Sequence, residues 1–156
     1  MKCKNNHVHR LSNNTCCLIS AGSKIPTDIA TWMQDLCEQT LRTCSSCPEK
    51  QMLLHEFVYP LPLLALDFAG HNICIDFEIN VPISNRNIKY KLRGIIYFGD
   101  AHFTSRVLLD NGSIWFHDGI LTKQRLICDG MVNNMNSESL RMCRGRKAVS
   151  AVYIKC

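Results

Sequence analysis

His102 and Asp118 are the two residues whose types and positions suggest chemistry first. His102 stands directly before the apolar run Phe103 to Leu109, beside the turn Gly99-Asp100-Ala101. Loops that leave a rigid sheet are where catalytic side chains usually stand. The run Phe103 to Leu109 is expected to pair with Ser113 to His117 as a hairpin across Asp110-Asn111-Gly112, a strong turn signal. A carboxylate held against one imidazole nitrogen fixes the ring's tautomer and leaves the other nitrogen free to take a proton from a nucleophile. Whether Asp118 is that carboxylate depends on the hairpin's register. If Asp110, Asn111 and Gly112 form a three-residue loop, Leu109 faces Ser113 and His102 faces Ile120. Asp118 then shares the face of His102 at a diagonal backbone spacing of about 7–8 Å, within side-chain reach. If only Asn111 and Gly112 form the loop, His102 faces Leu121, and His117 takes the place of Asp118. The plainer alternative is a strand-end histidine satisfied by solvent, with Asp118 in a turn.

A second chemical signal is Cys44-Ser45-Ser46-Cys47-Pro48. A CxxC turn points two thiolates at one tetrahedral centre, the form of a zinc knuckle, and needs two further ligands. The nearest upstream are Cys3 with His7 or His9, and Cys16, Cys17 and Cys37 stand in reserve. The set expected for a structural Zn2+ is Cys3, His7, Cys44 and Cys47. Two thiols in a surface turn without metal are the alternative.

The elements that must position these groups follow from pattern. The chain has 156 residues, 46% of them hydrophobic, enough for one ordinary domain with a real core. Its formal charge is +5, and the 18 Lys and Arg are scattered except for Arg141, Arg144, Arg146 and Lys147, which read as a solvated basic loop. No nucleic-acid stripe is expected. The start, Met1 to His7, is polar, and nowhere do about 18 apolar residues stand together as a membrane span requires. The expected setting is intracellular, cytoplasm or nucleus, with no membrane partner. Ten cysteines in such a reducing compartment are metal ligands, a nucleophile or buried thiols rather than a disulfide framework.

The first 25 residues are polar and aperiodic, a knuckle or loop. Ile29, Trp32, Met33, Leu36, Cys37 and Leu41 then fall on one face at helical spacing, with Thr27 as N-cap and Asp28 in the first turn. This predicts a helix over 27–42, about four turns. Strand-like runs follow at Leu53 to Val58 and Leu63 to Phe68, divided by Tyr59-Pro60-Leu61-Pro62. Ile73, Ile75, Phe77 and Ile79 alternate with polar neighbours, the pattern of a half-buried strand. Val81 to Asn87 is expected as a loop, Lys89 to Phe98 as a strand, and Leu121 to Arg146 as a looser stretch around the Gly130 break. The run Ala148 to Ile154 is strand-like and can pair back into the same sheet. One helix and then mostly antiparallel strands make an α+β fold.

The run Tyr90-x-Leu92-x-Gly94-Ile95-Ile96-Tyr97, then His102-Phe103-Thr104-Ser105, then Trp115-Phe116-x-Asp118, resembles the histidine box of the ubiquitin-specific proteases, cysteine peptidases that remove ubiquitin. Leu61-Pro62-Leu63-Leu64-Ala65-Leu66-Asp67-Phe68 looks like the family's LP-x-x-L strand ahead of that box. Cys44-x-x-Cys47 looks like one arm of the family's zinc ribbon, the helix from Thr27 resembles the segment between the ribbon's arms, and Ala151 to Ile154 looks like its closing strand. The likeness spans roughly residues 26 to 156 and keeps the order.

The resemblance implies the C-terminal part of a papain-like cysteine peptidase domain. Residues 1–156 would be a single partial domain, with 1–50 finger-like and 51–156 the antiparallel β part. It makes His102 the general base and Asp118 its orienting partner. Two positions depart from the family pattern: Ala101 stands where a glycine usually precedes the histidine, and the tryptophan and the acidic residue are one residue closer. The family's nucleophilic cysteine lies far upstream on a helix N-terminus, where a thiol's pKa is lowered. Asn13-Asn14-Thr15-Cys16-Cys17-Leu18-Ile19-Ser20 has a superficial likeness to that box, but Gly22 and Pro26 leave room for only about one helical turn. The expectation is therefore a thiol-dependent isopeptidase-like part without its nucleophile, Cys16 being the residue to serve if one is present. Its partners would be ubiquitin or a ubiquitin-like modifier and its conjugates. A catalytically inactive module that binds such a modifier is the alternative, and a small zinc-stabilised β protein with other partners is a third reading.

Overall fold

The spine of the molecule is the run from Arg86 to Gly99, whose alternation buries Tyr90, Leu92, Ile95 and Tyr97. A computed structural model of the chain describes residues 2–3, 18–21, 27–37, 40–44, 46–53, 57, 59–69 and 71–156. In chain order the elements are β1 (Lys2–Cys3), β2 (Leu18–Ser20), α1 (Ile29–Cys37), β3 (Thr40–Thr43), β4 (Lys50–Leu53), β5 (Leu63–Asp67), β6 (Glu78–Ile83), β7 (Arg86–Gly99), β8 (His102–Leu108), β9 (Ser113–His117), β10 (Ile127–Met131), a 3-10 turn (Val132–Asn134), β11 (Met142–Cys143) and β12 (Arg146–Lys155). The large sheet runs β10-β9-β8-β7-β12-β5-β2, with β6 also on β7 and β11 on β12. Its pairs are antiparallel except β2 with β5. A second, three-stranded sheet has the order β1-β4-β3. Among the described residues, one α-helix and two sheets make the expected α+β architecture.

Strand β12 pairs back into the same sheet, as its strand-like run allowed, and lies in the sheet's interior, with Ala151 opposite both Leu66 and Ile95. Three buried tyrosines tie loops to this sheet. Tyr90, Tyr97 and Tyr153 donate their hydroxyls to the carbonyls of Leu61 (2.8 Å), Leu140 (2.9 Å) and Asp76 (2.6 Å). Burial pushes all three phenols above their ordinary range, so each stays a neutral donor.

Helix α1 buries Ile29, Trp32 and Met33, the face that the spacing predicted, against the core. Its cap is Asp28 rather than Thr27: Asp28 Oδ1 accepts from the N–H of Thr31 at 2.6 Å, three residues on, where an N-cap side chain must reach. Asp76 Oδ2 accepts a second free N–H, from Ala30. The helix ends at Cys37, not near residue 42. Leu41 belongs to β3, where β-branched Thr40 and Thr43 pair with Leu53 and Lys50.

Four other expectations change. Ile73 and Ile75 are buried as alternation requires, but 73–77 is not a ladder strand. Its backbone serves the helix start, with Cys74 N–H donating to Thr27 and Cys74 C=O accepting from Ile29. The loop expected over 81–87 shrinks to Ser84-Asn85, both at positive φ, and Pro82 sits inside β6, opposite Asn87. Proline is tolerated there because, among the described residues, β6 has a ladder partner on its β7 side and just the isolated Ile83–Phe57 bridge on the other. The stretch Leu121 to Arg146 contains β10, which a bulge between Cys128 and Gly130 hides from period-two reading. Strand β4 starts at Lys50, ahead of the expected Leu53, while residues 54–56 and 58 lie outside the described residues. Among the described residues no helix is long and apolar enough to cross a membrane.

The turn before His102 carries strain. Asp100 and Ala101 both take positive φ, 52° and 55°, between the paired residues Gly99 and His102. This is the two-residue primed turn that favours Asn-Gly or Asp-Gly, and an alanine in the left-handed region costs about 1–2 kcal/mol. Part of that is offset by the unfolded-state entropy a glycine would add. Ala101→Gly should therefore raise stability by about 0.5–1 kcal/mol, read as a melting temperature a few degrees higher. A lower melting temperature would contradict this account of the turn.

Candidate functional site

The hairpin of β8 and β9 adopts the three-residue loop. Ser105 pairs with His117 and Leu108 with Ile114, and Leu109 N–H donates to Ser113 O at 3.0 Å. Asn111 fixes the loop by accepting from both the N–H and the hydroxyl of Ser113. Gly112, at φ 80°, occupies the left-handed position that such loops require. With this register, His102, Thr104, Arg106 and Leu108 share a face with Ile114, Phe116 and Asp118. His117 falls on the opposite face, where its Nε2 meets the carbonyl of Lys123 at 2.9 Å.

His102 and Asp118 are in contact: Nε2 lies 2.9 Å from Oδ1. The aspartate is 1% exposed and the histidine 22%, so the carboxylate is the fixed partner and the ring reaches toward solvent. Asp118 ends β9 and organises the turn after it. Oδ1 accepts from the N–H groups of Ile120 (2.9 Å) and Leu121 (3.0 Å). The Thr122 hydroxyl bridges the main chain of Asp118, accepting from its N–H and donating to its C=O. The N–H of Leu121 is the largest influence on the carboxyl. Burial opposes it, His102 and Ile120 add to it, and the pKa falls from 3.8 to about 2. An ionised carboxylate only accepts hydrogen bonds, so Nε2 carries the ring proton and Nδ1 of the neutral ring keeps its lone pair. The arrangement can take a proton at Nδ1 and stabilise the imidazolium that results.

A buried charged cluster supports this face from behind. Arg106 donates from Nε to Asp129 Oδ2 at 2.7 Å and from Nη1 to the Tyr97 hydroxyl and the carbonyls of Ser139 and Met142. Asp129 reaches it from the β10 bulge. Arg144 approaches the same carboxylate at 3.5 Å and lies 3.9 Å over the Phe116 ring. Sequence reading missed Arg106 and Asp129. The signal for Arg106 was available, because it shares parity with His102 along β8, a face that alternation buries.

The expected metal residues are placed as follows. Cys44, buried, follows β3, and Cys47, half-buried, lies in the turn to β4, where Cys44 N–H donates to Glu49 O at 2.9 Å. Cys3 is in β1, opposite Gln51 of β4. His7, His9, Cys16 and Cys17 lie outside the described residues, and the residues that follow, Leu18–Ser20, form β2 rather than a helical turn. Among the described residues no cluster of three His, Cys, Asp or Glu side chains could hold a metal ion.

The Asp118 shift has a sign. A carboxyl whose folded pKa is depressed adds stability that is present above its ordinary value and lost as pH falls through its folded value. Here the window runs from 3.8 down to about 2. Urea unfolding at stepped pH should show the chain losing stability across that window, and Asp118→Asn should flatten that part of the profile. Equal slopes in both proteins would contradict the assignment.

No protein-family model matches the sequence, and no curated protein matches it. Solved structures do match. A chain of the SAGA Ubp8/Sgf11/Sus1/Sgf73 DUB module bound to ubiquitin aldehyde aligns at 12% identity and a TM-score of 0.59, covering 89% of this chain and 35% of that one. A chain of the Ubp8-Sgf11-Sgf73-Sus1 SAGA DUB module aligns at 13% identity and a TM-score of 0.58, covering 89% and 33%. A chain of the yeast SAGA DUB module with a mutant Sgf73 aligns at 14% identity and a TM-score of 0.54, covering 89% and 34%. This chain thus spans about a third of the length of the chains it matches, and it shares their fold over that third.

Proposed function

We propose that the chain is the histidine-bearing part of a thiol isopeptidase of the ubiquitin-specific-protease type, acting on conjugates of ubiquitin or a ubiquitin-like modifier inside the cell. The observation that carries this reading is the 2.9 Å contact of His102 Nε2 with buried Asp118 Oδ1, which leaves Nδ1 as the base. The fold shared with DUB-module chains supports it. In this reading His102 Nδ1 takes the proton of a cysteine thiol, and the thiolate attacks the carbonyl carbon of the isopeptide bond. The imidazolium returns that proton to the departing amine, leaving a thioester. Water, giving its proton to Nδ1, hydrolyses the thioester and frees the thiol. Asp118 holds the ring in the tautomer that both steps need. The thiol comes from outside the described residues, and Cys16 is the candidate within the chain.

A second reading, a module that grips the modifier without cleaving it, is favoured by a different observation. Ile96, Phe98, Phe103 and Ile154 stand exposed on the sheet face that turns away from the core, with the Phe98 and Phe103 rings 4.6 Å apart. A chain that binds but lacks a thiol at Nδ1 would use this apolar surface alone.

We also propose a structural zinc held by Cys44, Cys47, Cys3 and His7, closing the small sheet. Its support is the two-cysteine turn between β3 and β4, together with β1, which brings Cys3 alongside the same hairpin. Four such donors suit tetrahedral zinc, which would supply stability rather than catalysis.

Two experiments test these readings. The 156-residue chain is treated with ubiquitin bearing a C-terminal electrophile. If the chain holds the thiol, labelling vanishes in one cysteine-to-alanine variant, Cys16→Ala first, and slows on the order of 10²–10⁴-fold in His102→Ala. Saturable ubiquitin binding without labelling selects the binding module or a part whose thiol lies elsewhere. Neither labelling nor binding would sink both readings. Elemental analysis of the purified chain should find close to one zinc per chain, lowered by Cys44→Ser and by Cys3→Ser, and a folded metal-free protein would remove the zinc.

A further inference from the structure

Among the described residues, four buried side-chain atoms lack a hydrogen-bond partner: His71 Nδ1, Thr104 Oγ1, Asp118 Oδ2 and Arg146 Nε. Two of them belong to one place. The β8–β9 ladder ends at Ser105 and His117, and its register carried one step further sets Thr104 across from Asp118, on the same face as His102. Side chains directly opposite in such a pair have Cβ atoms about 4.5–5.5 Å apart. Thr104 is 3% exposed and Asp118 1%. Both are thus sealed from bulk solvent, and each leaves one polar atom unanswered. Buried polar atoms are rarely left so, and a hydroxyl and a carboxylate oxygen on facing strands that do not bond directly can be joined by one water that accepts from the first and donates to the second.

We propose that Thr104 is a positioning residue for the His102–Asp118 pair, its hydroxyl holding Asp118 Oδ2 through one buried water. The inference rests on the reading of Asp118 as the orienting carboxylate. Oδ1 already accepts from His102, Ile120 and Leu121, so the hydrogen bonds of the carboxylate fall on one oxygen. An anchor on Oδ2 shares the hold between both oxygens, stiffens the carboxylate against swinging about its side-chain bonds and keeps Oδ1 aligned with Nε2. Groups nearby do not compete for the role. Arg106, next on the same face of β8, is turned to Asp129, and His117 and Lys123 meet on the far side of β9. The remaining titratable contact of the carboxylate is His102 itself.

The test uses the 156-residue chain with its aspartate carboxyl carbons labelled for NMR and titrated through the acid range. Thr104→Val keeps the shape and removes the hydroxyl, and Thr104→Ser keeps the hydroxyl. In Thr104→Val the Asp118 carboxylate should bind its proton roughly tenfold more tightly than in the unsubstituted chain, and Thr104→Ser should restore the original behaviour. A packing defect alone would move stability without moving this titration. If Thr104→Val does not fold, Thr104→Ala, which leaves more room, takes its place in the same comparison. If Asp118 titrates low in both the unsubstituted and the Val or Ala chains, the Thr104 assignment is wrong while the pair stands. If Asp118 titrates as an ordinary aspartate in the unsubstituted chain, the reading of the pair fails and this inference fails with it.

Discussion

The three-residue turn at Asp110 to Gly112 sets the parity of everything on the core side of β8 and β9. With one residue fewer in the loop, His117 would share the face of His102, and Asp118 would turn away. The same parity turns Arg106 inward beside Phe116, where Asp129 meets it from the β10 bulge. A pleat has period two, so this single register choice flips whole faces at once. The turn is held locally by the Asn111 side chain and by Gly112 in the left-handed region, both independent of the residues whose face they decide.

The site and its support are built on different physics. The His102–Asp118 contact is at the sheet's edge of exposure, with one partner sealed and the other open to solvent. The Arg106–Asp129 contact is nearly sealed on both sides, at 10% and 15% side-chain exposure. A buried ion pair is weak evidence for net stability, because desolvation offsets its attraction. Its use here is geometric: one guanidinium joins β7 through Tyr97, β10 through Asp129 and the 139–142 segment through two carbonyls. The strand that begins at His102 is thereby tied to three neighbours two repeats of the pleat away from the imidazole.

Much of this was legible in the sequence where local pattern and global packing agree. The hairpin, the buried face of α1, the strand at β7 and the conditional link of His102 to Asp118 all follow from local pattern. What could not be read follows from local rules overridden by tertiary context. Pro82 looks like a loop residue until its pairing with Asn87 across the β6–β7 ladder is seen. Asp129 and Gly130 break the period of β10 because a bulge consumes one residue there. Leu41 extends the helical face of α1 by coincidence, and pairing with β4 decides its state instead. Ile73 to Phe77 keep strand-like alternation while the Cys74 backbone is spent on the helix terminus. Arg106 was missed because an arginine in a strand is normally assigned to the solvent face.

The position of β12 has a consequence for how the molecule is made. Strands β5 and β7 are each complete long before β12 is synthesised, yet they are not paired to one another and meet only through it. Until Arg146 to Lys155 leave the ribosome, both present open edges with apolar faces, the condition that invites pairing with another chain. The ladder contacts of β12 with Leu63 to Asp67 span more than half the sequence, and contacts of such long range make folding slow. The nascent chain therefore passes through an interval in which chaperone capture competes with aggregation, and the arrival of one strand ends it.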